Sequence, residues 1–467
     1  MSWQIQLSID RAADEPLHAQ LRTAIKNMIT TGLLRPGAPL PSSRRLADDL
    51  RLSRSVVVEA YQQLTAEGYL HAVSRSRTRV ADRAPTAAPG PAPRPGAPAG
   101  RAPRAEPARR DPHPGPADVT AFPRREWLAC LRQVLQTSGP ERLEYPPLAG
   151  VLPAREEIAA HIGRVRAVRT TPQCLMVTAG FAQGLTLLCL LLRDLGLRAL
   201  AVEDPGNPGQ RRVIEAAGLR AVPVPVDGEG LVVEGLARAD ARAVLTTPTH
   251  QFPTGAVLSP ARRAALVAWA RDVGGLVIED DYDGEFWFDR AERPASLQNA
   301  APDQVVYAGS VSATLAPGLR FGWLAVPPRL AEPLERVRAR QDLGGSALDQ
   351  LAYAEFLRSG RLERHLRRMR KRYRERLDTL VHALELRLPD ARAHRPAAGL
   401  HVLVSLPEKL EESLVTRTAQ QHGVSARGIA EFALEHPPPS PAVVIGYAPH
   451  SRDALTALVE ALAEAAR

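Results

Sequence analysis

Lysine is nearly absent from this chain of 467 residues. It stands only at Lys26, Lys371 and Lys409, so almost all of the basic charge is arginine. Scarce lysine beside abundant arginine, alanine and proline is what a G+C-rich genome gives. The formal charge of +9 therefore says little about a nucleic-acid partner until the charges are seen to cluster. Cysteine is also rare: Cys130, Cys174 and Cys189 lie far apart with no paired spacing. That excludes a zinc ribbon or a disulfide framework and fits a reducing cytoplasm. No apolar N-terminal segment is present, which predicts no secretory signal. The longest apolar run, "LTLLCLLL" (185–192), ends at Arg193 and is too short to span a bilayer.

What is present is globular: 45% apolar and 24% charged residues, in a length that suits two or three domains. One stretch cannot build a core. Residues 81–118 hold 11 prolines, 11 alanines and six arginines and no large apolar side chain, which predicts an extended, solvated linker. As polyproline II, at roughly 3 Å per residue, it would reach on the order of 100 Å.

Residues 1–80 carry three helical patterns. Leu17, Leu21, Ile25 and Met28 recur at helical spacing after Pro16. "PSSRRLADDL" offers Ser42 or Ser43 as an N-cap, with Leu46, Ala47 and Leu50 on one face. "SRSVVVEAYQQLTAEGYL" offers Ser53 as cap, Val57, Ala60, Tyr61 and Leu64 as the buried stripe and Gly68 as the stop. Only Arg51 and Leu52 separate the second and third helices, a helix-turn-helix spacing. "YLHAVSRSRTRVA" then reads as a strand pair with Arg75, Arg77 and Arg79 at or near its tip. Arg44, Arg45, Arg54 and these arginines fall where a winged helix-turn-helix meets phosphates and the major groove. A merely solvated basic face is the bland alternative for any one of them.

The segment "PLHAQLRTAIKNMITTGLLRPGAPLPSSRRLADDLRLSRSVVVEAYQQLTAEGYL" resembles the DNA-binding domain of GntR-type bacterial regulators. The resemblance implies that Arg44, Ser53, Arg54 and Ser55 face DNA, with the wing tip near Ser76 and Arg77. Such wings usually carry a glycine pair where this chain has "SRSRT".

From about residue 119 short apolar strands alternate with helices. "ALAVEDPG", "RAVPVPVD", "AVLTTPTH", "GLVIEDDYDGEF", "QVVYAGS" and "GWLAVPP" predict an α/β domain with a mainly parallel sheet, whose ligands lie at the carboxyl ends of the strands. "TAGFAQGL" is a glycine turn opening a helix, and its free N–H groups suit a phosphate. In "YAGSVSATLAPGLRFGW" (307–323), small hydroxyls precede one arginine, Arg320, a pattern that suits an anion. "EDDYDGEF" puts acids and a tyrosine on a strand end. A phosphate site, a buried acid for a protonated ring nitrogen and a tyrosine for a phenolate oxygen together describe pyridoxal phosphate.

Residues 119–467 resemble a fold-type-I, pyridoxal-phosphate-dependent aminotransferase domain with a smaller C-terminal subdomain. The order of head, linker and body resembles the MocR family of bacterial transcription regulators, which includes the GabR and PdxR types. The motifs that carry this are "EDPGNPGQ", "HQFPTG", "IEDDYD.EF" and "S.TLAPGLR.GWL". The resemblance implies three parts: a winged helix over 1–80, a linker over 81–118 and an effector and dimerisation domain over 119–467. It assigns Asp280 to the pyridine nitrogen, Tyr282 to the ring oxygen, and Ser310, Ser312 and Arg320 to the phosphate, with the backbone at Gly180 and Phe181. His250 either passes beside the ring or is a hydrogen-bonded turn residue; Asp280 and Tyr282 have strand-end capping as their alternative. Three departures stand out. Ala313 occupies the Schiff-base lysine position, which leaves no amine for covalent chemistry. Asn207 stands where an aromatic residue usually stacks on the ring, a role left to Phe181. Val444 stands about where catalytic relatives place the arginine for a substrate carboxylate.

The sequence thus predicts a cytoplasmic, homodimeric regulator that binds operator DNA and associates with the nucleoid. Its body would sense pyridoxal phosphate or an amino-compound adduct of it. Two rivals are an aminotransferase with an appended DNA-binding head, and a regulator whose body is only a dimerisation scaffold. No metal ligation is expected.

Overall fold

The structure, a computed structural model, describes residues 9–11, 15–74, 77–82, 115–288, 293–408, 410–435 and 440–466. The chain divides into two compact units, 1–108 and 109–467. Most of the expected linker, Ser76 and the side chain of Arg77 lie outside the described residues.

In the first unit α1 (Leu17–Thr30), α2 (Ser43–Leu50) and α3 (Arg54–Ala66) precede an antiparallel pair, β1 (Leu70–Ser74) and β2 (Arg77–Val80). Ser42, rather than Ser43, caps α2 by accepting from the Arg45 N–H, and Ser53 caps α3 by accepting from the Val56 N–H. Beyond α3, Gly68 takes φ of +77° and the Tyr69 N–H reaches back to the Leu64 carbonyl at 2.9 Å, a left-handed helix stop that favours glycine. The expected stripe closes the core: Leu21, Ile25, Val57, Ala60 and Leu64 are fully buried and pack with Leu46 and Val80.

The second unit is built on an eight-stranded sheet. In chain order its strands are β3 (Leu175–Thr178), β4 (Ala199–Asp204), β5 (Arg220–Asp227), β6 (Gly230–Leu231), β7 (Ala243–Thr246), β8 (Leu276–Asp280), β9 (Val305–Ser310) and β10 (Gly322–Ala325). Their spatial order is β3-β10-β9-β8-β7-β4-β5-β6. The contiguous run β9-β8-β7-β4-β5 is parallel, and β10 runs antiparallel between β9 and β3. Alternate residues feed opposite faces. Leu200, Val202, Leu276 and Ile278 pack with the helix Phe181–Asp194, while Ala199, Ala201 and Val277 pack with the helix Pro260–Asp272. Burial on both faces is why these strands read as unbroken apolar runs. Six of the eight strands coincide with the expected runs; β3, four residues like β7 and β10, and the two-residue β6 were missed.

A smaller antiparallel sheet closes the C-terminal part: β11 (Arg392–His394), β12 (His401–Ser405), β13 (Ser425–Gly428) and β14 (Ala442–Gly446), in the order β11-β12-β14-β13. The expected linker ends too late. Gly115, Ala117 and Asp118 are buried in the body. The Asp118 carboxylate lies 3.2 Å from Arg372 and 3.0 Å from Arg376, and its backbone N–H donates to the Tyr373 hydroxyl. Composition could not reveal partners 254 or more residues away. No helix among the described residues is long and apolar enough to cross a membrane.

Leu64→Ala is expected to destabilise the head by about 2–5 kcal/mol. In urea unfolding of the full chain, helix loss assigned to the head should move to lower urea while the unfolding of the body stays in place.

Candidate functional site

The carboxyl ends of the parallel strands converge on one rim of the large sheet. Ser310 ends β9 and pairs with Gly322 of β10, which in turn pairs with Thr178 of β3. Two residues beyond Thr178, Gly180 opens the helix Phe181–Asp194 with φ of +79°. A Cβ at Gly180 would sit 2.7 Å from Arg320 Nη2. Only glycine lets the guanidinium lie across this turn. Arg320 itself adopts a left-handed backbone, φ +47°, and donates from Nη2 to the Ala179 carbonyl at 2.8 Å while staying exposed. The Ser312 N–H donates to Ser310 Oγ at 3.4 Å. The helix N-terminus, one cation and two hydroxyls thus share one rim, a cradle for a phosphate. Phe181, at the start of that helix, is half-buried against the apolar layer beneath.

Ala313 lies in the turn that follows Ser312. It is buried at 9% exposure within the apolar cluster that includes Phe321 and Tyr353. Asp280 ends β8, beside β9, and is buried. Its Oδ2 accepts from Gln210 Nε2 at 2.7 Å. Burial first, and then the adjacent Asp281, pushes this carboxyl well above its usual range. A buried carboxyl with a neutral amide as donor is complementary to a cationic N–H.

Tyr282 and His250 meet next to it. The Tyr282 hydroxyl lies 3.0 Å from His250 Nδ1, which lies 2.8 Å from Asp283 Oδ2. His250 Nε2 is buried with no hydrogen-bond partner among the described residues. Burial, followed by Asp283 and Asp280, raises the Tyr282 hydroxyl well above its ordinary value, so it stays a donor at neutral pH. His401 of β12 stacks into the same group, 4.8 Å from the His250 ring. Val444, in β14, is fully buried among Phe252, Ile429, Phe432 and Ala442, and Tyr282 packs on that apolar cluster. Asn207 caps the helix Pro208–Ala216, its Oδ1 accepting from the Gly209 N–H at 2.8 Å.

Sequence reasoning missed the residues that fix these groups. Glu203, at the end of β4, accepts from Thr246, from both the N–H and hydroxyl of Thr247, and from Gln251. It thereby ties the ends of β4 and β7 to the "HQFPTG" segment. Asp281 is held by Arg166 at 2.6 Å and by the Tyr307 hydroxyl at 2.7 Å, and Arg166 also donates to Thr249 at 2.6 Å. Glu203 and Gln210 open and close the quoted "EDPGNPGQ" but were given no role; Arg166 and His401 had no local signal at all.

In the head, Arg44, Arg45, Ser53, Arg54 and Ser55 are all exposed, clustered at the starts of α2 and α3. Ser53 Oγ and Ser55 Oγ are 2.9 Å apart. Among the described residues none of these three arginines has an ion-pair partner, so the positive field is open to phosphates.

Two family profiles match the chain: "Bacterial regulatory proteins, gntR family" over residues 17–80 and "Aminotransferase class I and II" over residues 119–462. The chain is 32% identical over 455 residues to the probable rhizopine catabolism regulatory protein MocR of Rhizobium meliloti, covering 95% of this chain and 92% of that one. It is 33% identical over 460 residues to the pyridoxine biosynthesis transcriptional regulator PdxR of Corynebacterium glutamicum, covering 96% and 95%. Among solved structures it is similar to the α-aminoadipate aminotransferase LysN of Thermus thermophilus, complexed with N-(5'-phosphopyridoxyl)-L-leucine. There the identity is 28%, the TM-score 0.66, and the match covers 75% of this chain and 90% of that one.

Two outcomes follow from the buried charges around the site. Arg166→Met removes the cationic partner of buried Asp281, and should destabilise the body by about 3–5 kcal/mol in chemical denaturation. Glu285, just beyond Tyr282, lies 2.7 Å from His161. Burial alone would raise its carboxyl, but His161, Arg293 and Arg370 outweigh burial and hold it down to about 2. A carboxyl with a depressed folded-state value contributes stability that is complete above about pH 4.5 and is lost as the pH falls toward 2. Glu285→Gln should flatten that part of the stability–pH curve, measured by denaturant midpoint.

Proposed function

The chain belongs to the MocR-type family of transcription regulators, in which a GntR head precedes an aminotransferase-like body, and from that premise we propose that the body is a reversible pyridoxal phosphate sensor without transaminase turnover. The head would be 1–80, as expected from sequence, and the body would begin near 115, where Gly115, Ala117 and Asp118 are already buried, with a spacer between them. Bound pyridoxal phosphate supplies an aldehyde that condenses with amines and a ring that draws electrons from the adduct. The residues of this chain suit its three polar ends. Arg320, the Gly180–Phe181 backbone, Ser310 and Ser312 would bind the phosphate. Asp280 would accept from the ring N–H, and that cation would offset the burial that raises its carboxyl. Tyr282 would donate to the ring oxygen, held by His250, which Asp283 orients.

The observation that carries the reading is Ala313. A methyl group packed in an apolar cluster offers neither a covalent anchor nor a base for proton transfer. Val444, buried among apolar neighbours, offers no charge to a substrate carboxylate. Asn207 is engaged as a helix cap, which leaves the ring without an aromatic partner at that position. These points favour a regulator over an aminotransferase with an appended head. The intact Asp280, Tyr282 and Arg320 favour a sensor over a bare scaffold. Two copies would present two heads to paired half-sites, and the ligand would bias their spacing through the linker, a coupling between two sites. The place of action would be the bacterial cytoplasm, on DNA.

The test is a pyridoxal phosphate titration of the parent and of Ala313→Lys, read by visible absorbance before and after dialysis. Both should bind, and only the lysine variant should stay yellow after dialysis. Arg320→Ala should weaken binding roughly 10- to 100-fold, the loss of one charge-assisted phosphate contact. Absence of binding by both parent and lysine variant would show that the body is a scaffold.

A further inference from the structure

The helix Arg361–Arg387 is the longest of the described chain. Its first sixteen residues, "RLERHLRRMRKRYRER", hold nine basic and two acidic side chains, a net of +7 against +9 for all 467 residues. The family-based reading gives this charge no role.

The basic residues divide by face. Those turned inward are neutralised: Arg370 lies within 3.9 Å of Glu285 and 3.8 Å of Glu363, and Arg376 lies 3.0 Å from Asp118. Arg364, Arg367, Arg368, Lys371 and Arg372 are exposed. They stand at i, i+3, i+4, i+7 and i+8, one continuous stripe about 12 Å long at 1.5 Å per residue. Arg367, Arg368 and Lys371 have no ion pair or hydrogen bond among the described residues. Arg364 donates only to the Ser359 carbonyl, and the single acid near Arg372 is Asp118, shared with Arg376.

Codon bias accounts for arginine as the basic residue but not for five cations aligned on one helix face. Elsewhere some exposed arginines of the body are matched with acids, as in Arg336 with Glu332 and Arg340 with Asp194, while others, such as Arg125, Arg212 and Arg238, stand singly without an ion pair among the described residues. The stripe instead holds three like-charge pairs at i,i+4: Arg364 with Arg368, Arg367 with Lys371, and Arg368 with Arg372. Such pairs weaken a helix. The field reaches inward as well. Burial first, and then Arg368, lowers His365 to about 4, so this helix keeps a neutral histidine under its cations. A self-repelling stripe is relieved by a polyanion with regularly spaced charges.

We propose that this stripe is a second contact of the body with the DNA backbone, engaging duplex that flanks the sites read by the heads. The inference rests on the reading of the chain as a DNA-binding regulator. Arginine and lysine on one exposed helix face would meet phosphates without reading bases, so the contact is independent of sequence.

The test uses the full chain, two random-sequence duplexes and two variants. One duplex is about 20 base pairs, enough for two half-sites one turn apart; the other is about 60. Arg367→Gln/Arg368→Gln/Lys371→Gln empties the centre of the stripe, and Arg44→Ala/Arg54→Ala disarms the head. On the long duplex the stripe variant should lose tenfold or more in affinity at low salt. Its slope of log K against log salt should fall by about 2–3, since each neutralised phosphate contributes about 0.9. On the short duplex it should match the parent, whereas the head variant should be weaker on both. Arg367→Lys/Arg368→Lys should keep the parent slope, which separates charge from any loss of folding. A stripe variant with the parent's long-duplex slope, beside a head variant that has lost binding, overturns the stripe and leaves the DNA-binding reading standing. A head variant that binds like the parent overturns that reading instead; the long-duplex slope of the stripe variant then still decides the stripe.

Discussion

The body is organised around one buried ion pair, Arg166 with Asp281. Both side chains are at most 2% exposed, and the two groups are 2.6 Å apart. Such a pair is weak evidence for stability, because removing two charges from water costs about as much as their attraction returns. Its value here is positional. Arg166 ends the helix Leu152–Arg166 and also grips Thr249 and the Pro294 carbonyl. Asp281 follows β8 directly and takes a second bond from Tyr307 of β9. Three segments that meet nowhere in sequence are thereby fixed at the strand ends. Asp280 and Tyr282, on either side of Asp281, inherit that placement.

The same logic extends across the sheet rim. Glu203 receives donors from three residues of the segment 246–251 and secures the approach of His250. Polar groups that deep are tolerated only when they are satisfied. The strand ends are therefore held in place, while burial and then neighbouring acids raise the carboxyls of Asp280 and Asp283. A buried acid beside a buried tyrosine is complementary to a group with one cationic N–H and one acceptor oxygen.

Head and body divide the electrostatics differently. The head places unpaired arginines at two helix starts, where they are exposed and few. The body buries a few charges in pairs, such as Arg166 with Asp281, and lines up unmatched cations on one exposed helix face. The first arrangement suits recognition by groove and phosphate, the second suits a sequence-independent field.

Much of this was decided by sequence alone. The three helices of the head, their caps and their buried stripe follow from local spacing, since a helix period and a capping serine need only near neighbours. Six strands of the large sheet show as apolar runs because both faces are covered. Asp280, Tyr282, Arg320 and the alanine at position 313 stand out because short motifs hold them at fixed offsets. Other features belong to tertiary structure: the pairing of Arg166 with Asp281 across 115 residues, the entry of His401 beside His250, the capture of Asp118 by Arg372 and Arg376, and the use of Asn207 as a cap. Each joins groups that no periodicity links. In those cases the burial that made the contact necessary exists only once the chain has folded.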